Sequence, residues 1–182
     1  PAADIFLHDG ALLLVAVVEE VRRGLQVEEV GVRAPRMLEG GLDRRQLVPR
    51  AAVFVESFRP GTLENMGIGP ETLLERNPKL VIVRVSGFGQ DGPYRERAAL
   101  DLILQAESGM ISVTGEPGTT GTRAGVSIAD LTAGMYCAYG VMLALRVKER
   151  TGEGQQVDIS MLEGQLSLLG TSIANYFANG EV

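Results

Sequence analysis

The stretch "VFVESFRPGTLENMGIGPETLLERNPKLVIVRVSGFG", residues 53–89, decides the fold. It grows out of a short β-branched run at 51–55 and ends in another at 80–85, and both read as strands. Between them Pro60-Gly61 and Gly67-Ile68-Gly69-Pro70 mark off two short helical pieces, 62–66 and 70–76. Asn77-Pro78 closes the second, because the residue before a proline is driven out of the helical region. The result is a β-α-β unit. Strands joined this way lie parallel with a right-handed crossover, so the carboxyl ends of both, Glu56-Ser57-Phe58 and Ser86-Gly87-Phe88, open on one rim. In open α/β sheets ligands sit at that rim.

Working outward, residues 1–50 mix short apolar stretches with charge clusters, and their spacing allows a helix over about 11–23. On the other side a Gly- and Pro-rich loop precedes a helix over 100–110, and residues 114–125 form a turn-rich connection. A long helix is expected over 130–148, with Leu131, Met135, Ala138, Met142 and Leu145 as its apolar stripe. Arg146, Lys148 and Arg150 crowd its last turn and Gly152 terminates it. A strand is expected over 156–159. Ser160 and Glu163 then make a capping box for one last helix, striped by Leu162, Leu166, Leu169, Ile173 and Tyr176. The class is α/β, a parallel β-α-β unit followed by long helices.

Composition narrows the function. A net charge of −6 lacks the clustered Lys and Arg that displace counterions from phosphate backbones, which argues against nucleic acid. With Cys137 as the one thiol, no intrachain disulfide or Cys-based zinc cluster can form, and a reducing, cytoplasmic setting is expected. The apolar run 11–18 is too short to cross a bilayer, so no membrane is expected.

Several residues invite chemistry. Gly87-Phe88-Gly89-Gln90-Asp91-Gly92 matches G-x-G-x-x-G after a strand, but no helix pattern opens there, so it reads as a plain glycine-rich loop able to line a ligand. His8 has no acids at metal-ligand spacing, and no metal is expected. Cys137 sits on a small-residue face without a nearby His, which favours packing over nucleophilic use. Arg59, past a strand's carboxyl end, could meet phosphate or simply be solvated. Asp130 heads the long helix. Spacing alone makes it an N-cap; Ser127 as a rival cap erodes that reading, and Ala129, Thr132, Ala133 and Gly134 as small neighbours leave room that suggests a ligand.

Taken together, "VFVESFRPGTLENMGIGPETLLERNPKLVIVRVSGFGQDGPY", "LDLILQAESGMISVTGEPG", "GVSIADLTAGMY" and "RTGEGQQVDISMLEG" resemble the class III CoA-transferases, the CaiB/BaiF family, over about residues 50–182. The resemblance implies part of a Rossmann-like large domain over 51–182, with 1–50 as an atypical leader. It implies transfer of coenzyme A from an acyl-CoA to a free carboxylic acid, through an aspartyl anhydride and thioester, with Asp130 as the nucleophile at its ordinary carboxylate pKa. It places nucleotide contacts on Ser57, Phe58 (against adenine) and Arg59 (on phosphate), and lines the CoA site with Ala98, Ala99, Leu100 and Asp101. A small carboxylic acid is the second substrate, and the full-length parent is expected to be a homodimer. Related 2-methylacyl-CoA racemases carry His where this chain has Leu100; epimerisation needs a base on each face of the α-carbon, so transfer is preferred. A non-catalytic, CoA-binding remnant is the other alternative.

Overall fold

The computed structural model describes residues 3–8, 11–16, 32–33 and 48–180. Six strands form one sheet: β1 (Ala3–His8), β2 (Ala11–Ala16), β3 (Val32–Arg33), β4 (Val53–Glu56), β5 (Val81–Ser86) and β6 (Gln155–Ser160), in the order β3-β1-β2-β4-β5-β6. β4 and β5 run parallel, with Val53 opposite Val81 and Glu56 opposite Arg84, as the β-α-β reading requires. The intervening helices are α1 (Thr62–Asn65) and α2 (Pro70–Arg76). Every residue of β4 is buried and β5 is nearly so, the pattern of parallel strands covered on both faces.

The amino-terminal expectation is corrected. Residues 11–16 are not the start of a helix: they form β2, antiparallel to β1 and to β4. A six-residue run such as ALLLVA carries too little periodicity to separate helix from strand, and pairing with β4 decides it. Residues 17–23 of that expected helix lie outside the described residues, as does the side chain of His8, whose backbone closes β1 opposite Ala11.

The chain divides into two compact units, Pro1–Arg84 with Tyr139–Val157, and Val85–Ala138 with Asp158–Val182. In the first, Val48, Ala51, Phe54, Phe58, Leu63, Leu73, Leu80 and Ile82 form the core. Asn77 stitches its edge: the side-chain amide donates to the Val48 and Ala51 carbonyls, each at 2.9 Å, which explains why asparagine stands at the end of α2. Gly154 lies so close to Leu80 that any Cβ would overlap the Leu80 backbone, while its N–H donates to the Pro78 carbonyl at 2.8 Å.

In the second unit α3 (Asp101–Glu107) packs with α5 (Met161–Leu168), burying Leu104, Gln105, Ser108 and Gln165. The serine half of the capping box forms: Ser160 Oγ accepts from the Glu163 N–H at 3.2 Å. The single last helix does not. It breaks at Leu169 into α5 and α6 (Gly170–Asn179), and only Leu169 of the expected stripe is fully buried.

The long helix α4 (Ile128–Thr151) begins two residues earlier than expected and buries a different face. Leu131, Met135, Ala138 and Met142 are exposed, whereas Ala129, Thr132, Ala133 and Ala144 are buried. Small side chains let neighbouring backbone approach: an added Cβ on Gly164 of α5 would already touch Thr132 and Tyr136. By length and composition alone α4 could cross a membrane, with a mean hydropathy of 1.4.

Candidate active site

The first unit presents the loop after β4. Glu56 is fully buried, and its Oε2 accepts the Phe58 N–H at 2.8 Å, so the carboxylate turns the chain as it leaves the strand. Its other oxygen accepts from Arg84 Nε at 2.7 Å. Arg84 also grips Glu64 of α1 with both terminal nitrogens, at 2.8 and 3.3 Å, a forked guanidinium–carboxylate pair. Burial pushes the Glu56 carboxyl above its ordinary value, opposed by the bonds from Arg84 and Phe58. For Arg84 burial works against the charge, and the two carboxylates overcome it and hold the guanidinium above its usual range. Glu64 loses some hydration yet sits below its ordinary value because Arg84 faces it. On this frame Ser57 is half-buried and Arg59 is exposed, with the Arg59 carbonyl accepting the Thr62 N–H at 3.1 Å. Phe58, 8% exposed, points into the core of its unit with Phe54 and Leu63.

In the second unit the glycine-rich loop after β5 opens no helix before α3, as read from the sequence. Gly87 has no room for a Cβ because Ala99 fills that space, and Gly89 holds φ of 86°. The loop is pinned by the Gln90 N–H donating to Asp158 Oδ2 at 2.8 Å and the Leu162 N–H donating to the Gly87 carbonyl at 3.0 Å. Arg97 lies over the Tyr94 ring at 4.5 Å and pairs with Glu107 at 2.7 Å. Ala98 and Leu100 are exposed and Ala99 is half-buried at the entrance to α3.

Asp101, in the first turn of α3, reaches the head of α4. Its Oδ1 accepts the Ala129 N–H and its Oδ2 accepts from Gln105 Nε2, at 2.8 and 2.6 Å. The carboxylate capping α4 is therefore Asp101, and Asp130 is not the N-cap: it lies inside the first turn, exposed. Two further expectations about Asp130 change. Ala129, Thr132 and Ala133 pack inward, and of these small neighbours only Gly134 faces open space, with nothing within 4 Å of an added Cβ. Its pKa is not ordinary: partial burial and then the charge of Asp101 push it up. Burial likewise pushes the half-buried Cys137 thiol up, which suits packing.

The structure thus brings Asp101 and Asp130 to one helix head, with Ala98, Ala99 and Leu100 leading into it. Ser57, Phe58 and Arg59 share a loop of the other unit. Sequence reasoning missed Glu56, Arg84 and Gln105. A charge closing β4 and another inside the apolar run of β5 were the available signal for the first pair; a glutamine inside an apolar helix was the signal for the third. Among the described residues no three His, Cys, Asp or Glu side chains converge as a metal set would.

The sequence pattern of CoA-transferase family III matches residues 43–182. The chain is 42% identical over 153 residues to the succinyl-CoA–D-citramalate CoA-transferase of Chloroflexus aurantiacus, covering 84% of this chain and 37% of that protein. It is 37% identical over 172 residues to the succinate–glutarate CoA-transferase of Agrobacterium fabrum, covering 94% of this chain and 42% of that one. Among solved structures, a CaiB/BaiF family protein from Brucella suis superposes with a TM-score of 0.73 at 36% identity, covering 75% of this chain and 36% of that one. This chain spans about two fifths of the length of these relatives. It belongs to CoA-transferase family III.

Proposed function

We propose that the protein of which these residues form part transfers coenzyme A from an acyl-CoA to a free carboxylic acid, with Asp130 as the nucleophile. One observation carries the assignment: Asp130 is an exposed carboxylate in the first turn of α4, one turn from the open position at Gly134, on a helix head fixed by Asp101. Attack by an Asp130 oxygen on the thioester carbonyl forms a C–O bond and breaks the C–S bond. CoA leaves as thiolate, and an acyl-aspartyl anhydride remains. The thiolate then attacks the aspartyl carbonyl, forming a C–S bond and releasing the donor's acid. The acceptor carboxylate displaces CoA from that thioester to make a second anhydride, and CoA attack on the acceptor's acyl carbon restores Asp130. An elevated pKa makes the ionised carboxylate a stronger nucleophile than an ordinary one.

Arg59 is assigned to phosphate and Ser57 to the nucleotide, on a loop anchored by the buried Phe58. Ala98, Ala99, Leu100 and Asp101 are assigned to the wall of the CoA site. The names of the relatives, built on succinyl-CoA, D-citramalate and glutarate, support dicarboxylic acids as the substrate class. The apolar residues that α4 leaves exposed support a homodimer of the whole protein.

Incubation with succinyl-CoA and hydroxylamine tests the assignment. The expected product is a hydroxamate located by mass spectrometry on Asp130 and absent from Asp130→Ala. A hydroxamate on another residue, or none, overturns it.

A further inference from the structure

Gln105 has no exposed surface, yet it carries an amide into the interior of α3 beside the equally buried Leu104. A buried amide without partners is costly, so its bonds matter. Nε2 donates to Asp101 Oδ2 at 2.6 Å and, more weakly, toward the Val126 carbonyl at 3.4 Å. Oε1 accepts the Ala124 N–H at 2.8 Å. An ionised carboxylate only accepts and a backbone N–H only donates, so no flipped amide makes both bonds. Through these contacts one side chain holds the segment 124–126 that leads into α4, and it also orients the carboxylate that caps α4 at Ala129. Asp130 is the next residue.

We propose that Gln105 is a positioning residue for Asp130: its amide locks the lead-in to α4 and the capping carboxylate onto α3, and so sets where the nucleophile is presented. The inference rests on Asp130 being the nucleophile. Gln105 bonds to Asp101, Ala124 and Val126 and has no exposed surface to offer a substrate, so it acts on the reaction only through backbone placement. Misplacing a reacting group by about 1 Å costs on the order of a hundredfold in rate, without the same loss in affinity.

The test uses the full chain with succinyl-CoA and hydroxylamine, reading the rate of hydroxamate formation at Asp130 against succinyl-CoA concentration. Gln105→Met keeps the volume and removes both polar atoms. It is expected to lower the maximal rate roughly a hundredfold while the half-saturating concentration moves less than about threefold. Amide hydrogen exchange at Ala124 and Ala129 is expected to accelerate, with β5 unchanged. Gln105→Glu, which retains the acceptor but sets a carboxylate against Asp101, provides the second variant if Gln105→Met fails to fold. Wild-type rates in the folded variants, or a rate loss matched by an equal loss of affinity, overturn the proposal. Wild-type protein without a hydroxamate at Asp130 instead removes the nucleophile assignment on which the proposal stands, so the two failures are distinct.

Discussion

Each unit contains a polar cluster that fixes a loop, and the two are wired differently. In the first, Arg84 sits between Glu56 and Glu64, so the carboxylates that shape the exit from β4 are held by a charge of opposite sign. In the second, Asp101 is held by the neutral amide of Gln105. Both arrangements satisfy hydrogen bonds, but only the first sets a cation between its carboxylates. Arg84 keeps Glu64 below its ordinary value, whereas the uncompensated Asp101 adds to burial in pushing Asp130 above its own. An amide can therefore fix geometry without adding a counter-charge, whereas the guanidinium adds one. A site that needs a basic carboxylate is better served by the amide.

The comparison breaks most visibly at Arg84. Arg84→Met strands a buried, unpaired Glu56 and should destabilise the fold by about 3–5 kcal/mol at neutral pH, measured by urea unfolding. The penalty should shrink as the pH falls, because protonating Glu56 removes the stranded charge. A penalty that stays constant down to acid pH would show that packing, not charge, is what Arg84 supplies. Its pairing with Glu64 has its own signature. Because the folded pKa of Glu64 is depressed, that contribution is present above the ordinary carboxylate value and is lost as the pH drops through the folded one.

The amide-wired cluster should yield a smaller effect. Asp101→Ala removes the acceptor for the Ala129 N–H and the partner of Gln105 Nε2, for an expected loss of roughly 1–3 kcal/mol in the same unfolding assay. It also removes the neighbouring charge, so the pKa of Asp130, followed by carboxyl carbon NMR, should fall toward its ordinary value without reaching it, since burial is the larger cause. A pKa that rises instead would mean that the Asp101 charge does not act on Asp130 as argued.

These clusters mark where the sequence stops being readable. The β4-α1-α2-β5 unit was legible because Pro60-Gly61, Gly69-Pro70 and Asn77-Pro78 force local breaks that no tertiary contact has to supply. The face of α4 was not. Its large side chains suggested burial, but close packing selected the small ones, and Leu131, Met135 and Met142 were left outside. The last helix kept its apolar spacing through Leu169 while its backbone broke there. Asp130 was singled out by its place at the helix head and made the nucleophile only through family resemblance, and its local chemistry was read differently from what the structure gives. The cap on α4 comes from Asp101, 28 positions away, and a bond across that separation leaves no trace in local spacing. Glu56 and Arg84 share a ladder position, a relation that appears only once the register of β4 and β5 is known.

The smallest effect sharpens the comparison most, because it isolates the field from the geometry. Asp130→Asn keeps the size of the side chain and removes its charge. A carboxyl whose pKa is raised in the folded state binds more protons folded than unfolded, so stability falls as the pH rises from its ordinary value through the folded one. The full cost is present above that window and absent below it. Asp130→Asn should therefore stabilise the protein at neutral pH and have no effect under strongly acid conditions. Asp130 is exposed, and solvent screening holds the gain to about 0.5 kcal/mol or less, read as a rise in Tm. In an Asp101→Ala background the gain should diminish, since one source of the raised pKa is gone, and a gain unchanged in that background would assign the whole shift to burial.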